Sequence, residues 1–226
     1  MKIDDFLSRH VEGYLFKDLD AMSAISLKPG EAYGAVGYPM VSTALAGIEL
    51  LGGLLSPQMF NANNGATYFR NFWEGPLYGR DSDRKPLGNA IYKLARHGLA
   101  HVFVAKPRIC VQKLANNPNH LLRDPAGDLI IDSIVLAQDL KAAYLSDVKP
   151  QLGTPLGKTM QARLGEMIAR YSAQSNELDT IISGVPAVFL ITDDQVVTSS
   201  SSPSVSGGTF ISAVNSPAVP GTASKN

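Results

Sequence analysis

Apolar side chains recur at helical spacing along most of the first hundred residues. From about Asp4 to Ala24, Phe6, Leu7, Val11, Tyr14, Leu15 and Leu19 fall on one face, which predicts an amphipathic helix. Leu27-Lys28-Pro29-Gly30 breaks it. Val36 to Leu55 reads as a strongly apolar helix, with Gly and Ala where a neighbour can approach and one interior carboxylate, Glu49, that needs a partner if buried. After a loop at 61–65, Thr67 to Tyr78 is rich in aromatic residues and predicts a short packed helix. The next helix runs from about Arg84 to Ala100, with Asp83 as its cap, Pro86 in its first turn, and Leu87, Ile91, Leu94 and Leu99 inward.

Beyond Ala100 the pattern changes from helical to alternating. His101 to Lys106 and Arg108 to Leu114, joined at Pro107, predict a hairpin, and Leu129 to Ile134 offers a third strand after the turn Asp124-Pro125-Ala126-Gly127. Helices follow over about Val135 to Asp147 and Pro155 to Ile182, the latter with Met160, Leu164, Ile168 and Tyr171 on one stripe. Val185 to Val197 reads as a strand or as a helical end. From Thr198 onward Ser, Pro, Gly, Thr and Ala dominate. The expected architecture is mainly α: a helical bundle over 1–190, a small antiparallel β-hairpin or three-stranded meander inserted at about 101–134, and a low-complexity, disordered tail over 191–226.

Composition adds a core and a charge asymmetry. With 226 residues, 45% of them hydrophobic, the chain is long enough for one domain with a sizeable interior. The formal net charge of zero argues against a polyanion binder held by overall charge. Between Arg80 and Lys113, however, eight basic residues face two acidic ones, giving +6, while the remaining 12 basic and 18 acidic residues give −6. That stretch is either a local basic surface or an ordinary solvated face. The single cysteine, Cys110, lies in the apolar run Ile109-Cys110-Val111; it allows no internal disulfide, fits a reducing, cytoplasmic setting, and reads as a buried structural thiol. No signal peptide is visible at Met1 to Asp5, and Tyr33 to Leu55, interrupted by Pro39 and Glu49, reads as a core helix rather than a membrane span.

The chemically pointed segment is Arg96-His97-Gly98-Leu99-Ala100-His101. A guanidinium can hold a non-bridging phosphate oxygen, most strongly as charge builds there in a transition state. An imidazole can take a proton from a ribose 2′-hydroxyl or return one to the leaving oxygen. RNA brings its own nucleophile, so this pairing needs no metal or other cofactor.

Leu94 to His101 resembles the Arg-x4–6-His motif of HEPN domains, and the aromatic stretches Tyr68-Phe69-Arg70-Asn71-Phe72-Trp73 and Leu87 to Tyr92 are similar to the helices that precede that motif in bacterial HEPN-like proteins. The resemblance covers about Val36 to His101. It implies an all-α, homodimeric core and, in active members, metal-independent cleavage of single-stranded RNA. Arg96 and His101 then take the catalytic positions. His97 stands where Asn or Asp is more usual, and Glu49 is a candidate to orient Arg96 from a neighbouring helix. Lys93, Arg70, Arg84 and Lys85 are the cations expected along the RNA backbone.

Other readings of these residues carry less. His97 and His101 have a zinc-binding i, i+4 spacing, but Gly98 occupies the position of a metalloprotease's general base, so no metal is expected. Gly153 to Thr159 ends in Gly-Lys-Thr with one residue too few for a phosphate loop, and no Gly-x-Ser-x-Gly elbow occurs. The remaining alternative is a non-catalytic helical interaction or structural protein, in which Arg96 pairs with Glu49 and the Arg-His segment holds the helix-to-strand junction.

Overall fold

Helix α2, Gly37–Leu54, is apolar over most of its surface because most of it is surrounded, while Ala46 is exposed and Ser42, Thr43 and Leu50 beside it are half-buried. Met40, Val41, Ala44, Leu45, Ile48, Leu51 and Leu54 are all fully buried. The computed structural model describes residues 1–26, 28–29, 35–96, 98–99, 107–114 and 116–183, with side chains described through residue 173 and at Ser183. Around α2 lie α1 (3–24), α3 (65–77), α4 (88–96), α5 (133–148) and α6 (Pro155–Ile182). Among the described residues, no helix is long and apolar enough to cross a membrane.

Four of these helices widen into π-helical turns, at Leu7–Phe16, Trp73–Leu77, Tyr92–Arg96 and Tyr144–Val148. The wider turn changes which residues face inward. In α1 the inward set is Leu7, Val11, Phe16 and Leu19, whereas Tyr14, expected on that face, is exposed. With i to i+5 bonding, the position one turn after Val11 moves from Tyr14 toward Leu15 and Phe16. The stripe on α6 is shorter than expected: Met160 and Leu164 are buried, but Tyr171 is exposed.

Among the described residues, the strands form a two-stranded parallel sheet, where an antiparallel hairpin or three-stranded meander was expected. Strand β1, Ile109–Gln112, pairs with β2, Leu129–Asp132, in the register Ile109–Leu129 to Gln112–Asp132. The first expected strand, His101 to Lys106, lies outside the described residues, as do Val185 to Val197 and the whole of the tail over 191–226. The turn at Asp124–Gly127 forms as expected, but it reverses the chain between residues 121–123 and β2. Leu121 N donates to Ile130 O, Ile130 N donates to Leu122 O, and Arg123 bridges Leu129 in the antiparallel sense. The chain therefore turns back twice between β1 and β2 and enters β2 parallel to β1. The long connection that a parallel pair requires is supplied by this irregular excursion rather than by a helix.

Met1–Ile182 pack as one unit. Its tightest crossing is between α2 and α3, where a Cβ on Gly52 would come 1.8 Å from the Tyr68 carbonyl oxygen. That contact is with backbone, so no rotamer change relieves it. We expect Gly52→Ala to destabilise the fold by about 3 kcal/mol or more in denaturant titration. Gly165→Ala, on exposed α6 with no atom within 4 Å of the added carbon, should instead stabilise it by about 0.5–1 kcal/mol.

Candidate functional site

The π-turn Tyr92–Arg96 brings Tyr92 and Arg96 to neighbouring positions on one face of α4. Arg96 Nε donates to Glu49 Oε2 at 3.1 Å, and the two side chains are 25% and 26% exposed. The interior carboxylate of α2 thus finds the partner its burial requires. Gly65, the first residue of α3, completes the cluster. A Cβ there would fall 2.5 Å from Glu49 Oε1 and 2.8 Å from the Tyr92 hydroxyl oxygen, so the missing side chain makes room for both. Burial raises the pKa of Tyr92, helped by the Glu49 carboxylate and opposed by Arg96.

Of the residues singled out from the sequence, Arg96 and Glu49 come together, while His97 and His101 lie outside the described residues. Lys93, Arg70 and Lys85 are exposed, on α4, α3 and the 3₁₀ turn Lys85–Leu87 respectively. Arg84 behaves differently. It is drawn toward Asp81 (3.5 Å) and Asp139 (3.9 Å) and lies over the Tyr78 ring. Asp83 does not cap the following helix. Asp81 Oδ1 instead accepts from the backbone N–H groups of Asp83 and Arg84. Cys110 is half-buried rather than buried. Among the described residues, no three His, Cys, Asp or Glu side chains converge as a metal-ligand set.

A second polar constellation, which sequence reasoning missed, lies at the other end of α3. His120 is fully buried. The backbone N–H of Asp132 donates to His120 Nδ1 at 2.9 Å, which leaves the ring proton on Nε2. Nε2 lies 3.3 Å from the Tyr78 hydroxyl, which donates to Asp139 Oδ2 at 2.6 Å. The chain of donors thus runs from Asp132 N–H through His120 and Tyr78 to Asp139. Burial, reinforced by the Arg84 charge and opposed by Asp132, lowers the His120 pKa from 6.5 to about 4. Burial and the Asp139 carboxylate push Tyr78 well above its ordinary value. Burial also raises Asp139, against the pull of Tyr78 and Arg84.

The only local sign of this network in the sequence is Asp132, an acidic residue directly before the helix Ser133–Ala143 and therefore a natural N-cap. Nothing local links positions 78, 120, 132 and 139. Tyr78 and Asp139 border an open cleft of about 610 Å³ between α3 and α5. No protein-family model, curated protein or solved structure matches this chain.

The neutral His120 makes stability depend on pH. Its folded pKa lies below its unfolded value, so the unfolded chain binds more protons between about pH 6.5 and 4. The stabilisation is complete above that window and is lost as pH falls through it, by roughly 3 kcal/mol. Asp139, whose folded pKa is raised, acts in the opposite sense just above its ordinary pKa. Denaturant titrations of wild type and His120→Gln across this window isolate the histidine. The wild type should lose stability more steeply on acidification, and parallel profiles would show that His120 is not held neutral.

Proposed function

We propose that this chain is a HEPN-like, RNA-associated cytoplasmic protein acting as a homodimer, in which Arg96 and His101 form a metal-independent pair for cleaving single-stranded RNA. The observation that carries this reading is the way Glu49 grips Arg96. The contact uses Nε, and the Nη edge, which has no other partner among the described residues, remains free to hold a phosphate through two N–H groups. Glu49 then serves as a positioning residue, and His101 carries the proton. The exposed Arg70, Lys85 and Lys93 supply charge for an RNA backbone.

A second reading is favoured by the burial of the same pair. Three-quarters covered, Arg96 and Glu49 also serve as a clamp joining α4 to α2, in a helical interaction protein without catalysis.

The two readings diverge in one experiment, in which single-stranded RNA cleavage in the presence of a chelator and thermal melting are measured on the same preparations. On the first reading, Arg96→Ala and His101→Ala each lower cleavage by about a hundredfold or more, and His101→Ala melts close to wild type. On the second, wild type shows no cleavage and Arg96→Ala costs about 3 kcal/mol of stability by stranding Glu49. Cleavage that survives both substitutions overturns the catalytic assignment.

A further inference from the structure

The cleft between α3 and α5 has features that the Arg96 cluster does not use. Two π-helical turns wall it, Trp73–Leu77 and Tyr144–Val148, a backbone form that concentrates at functional sites. Its volume of about 610 Å³ lies within the range of roughly 300–1,000 Å³ usual for small-molecule sites. It is separated from Gly65 and Arg96 by most of the length of α3, roughly 15 Å.

Charges of both signs ring the cleft, and they are only loosely satisfied by one another. Arg80 approaches Asp147 at 3.6 Å, Arg84 approaches Asp81 at 3.5 Å and Asp139 at 3.9 Å. All three distances exceed that of a good charge-assisted hydrogen bond, about 2.7–2.9 Å. Arg80 is 95% exposed and retains nearly all its donors. Asp139 is held from beneath: its Oδ2 accepts a hydrogen bond from the Tyr78 hydroxyl, and Tyr78 is fixed by buried His120, so the position of the carboxylate is set before any ligand arrives. Its Oδ1 has no hydrogen-bond donor among the described residues. Leu77, Pro76 and Ala142 add apolar wall.

We propose that this cleft binds a small zwitterion of the α-amino-acid type, its ammonium group on Asp139 and its carboxylate on Arg84, with Arg80 reaching the same carboxylate from the mouth. A simple anion meets three carboxylates here, and a simple cation meets two guanidinium groups. A ligand carrying both charges replaces the loose Arg84–Asp139 pair with short contacts to each partner, while Asp81 keeps the backbone N–H groups of Asp83 and Arg84. The apolar wall takes the side chain. His120 and Tyr78 touch no ligand atom and act as positioning residues for Asp139.

The test is calorimetric titration of the full-length protein with L-leucine, L-glutamine and L-lysine, alongside isoamylamine and 4-methylpentanoate, which carry the leucine side chain with a single charged group. At least one amino acid should bind with a Kd of about 1 mM or tighter, and loss of either charged group should weaken binding by about tenfold or more. Arg80→Ala, at the cleft mouth, should weaken binding severalfold without changing the melting temperature. Asp139→Asn should weaken it further if that variant folds. Arg96→Ala should leave the Kd unchanged, which separates this site from the proposed RNA site. Binding of the lone acid or lone amine as tightly as the amino acid overturns the proposal, as does absence of heat with every amino acid at about 10 mM.

Discussion

A single buried carboxylate, Asp132, holds together the part of the molecule in which the chain is least regular. It sits at the last position of β2 with no solvent exposure. Oδ1 accepts from the backbone N–H groups of Ile134 and Val135, capping α5, while Oδ2 accepts from Leu114 N–H and the Asn117 side chain. Its own N–H donates to His120. A bare buried carboxylate is costly, and four donors, each worth about 1.5–3 kcal/mol to a charged acceptor, turn that cost into a constraint. The end of the sheet, the start of α5 and the loop after β1 must therefore be in register together. Tyr78 and Asp139 then inherit their positions from His120.

Helix α2 imposes the other constraint. Its apolar surface demands neighbours on most sides, and its glycines let them come close. Glu49 interrupts that surface and has to be answered, which Arg96 does from α4. The two polar sites thus arise from one cause, a charged group forced into a crowded interior, and α3 separates them. At the Gly65 end the carboxylate faces a guanidinium. At the Tyr78 end the burden is shared by a histidine, a phenol and a second carboxylate. The wide turns at Trp73–Leu77 and Tyr92–Arg96 present these side chains where an ordinary helix would rotate them away.

Much of the helical layout was legible in the order of residues. The apolar run of α2, the aromatic helix of α3 and the apolar stripe at the start of α6 are local patterns, because burial repeats every turn along one segment. The partner of Glu49 was legible for the same reason, since a carboxylate inside an apolar helix limits its options to a cation. Local alternation also marked the strands β1 and β2, but it could not reveal their mutual direction. Period-two patterning is the same in parallel and antiparallel pairs, and the direction depends on how the intervening chain folds back. Tyr14 and Tyr171 were misplaced because a strict 3.6 period does not carry through π-turns or past the end of a packed face.

The sequence by itself determined that the chain is mainly helical, that its most apolar helix is central, and that Arg96 and Glu49 are candidates for each other. Each of these follows from periodicity or from the cost of burying a charge. Only the tertiary structure decided that the strands run parallel and that His120 is neutral with its proton on Nε2. It also decided that Tyr78, Arg84 and Asp139 meet at one cleft. The physical reason is range: those outcomes depend on contacts between residues 12 to 61 positions apart, and no local pattern encodes which distant donor will meet which acceptor.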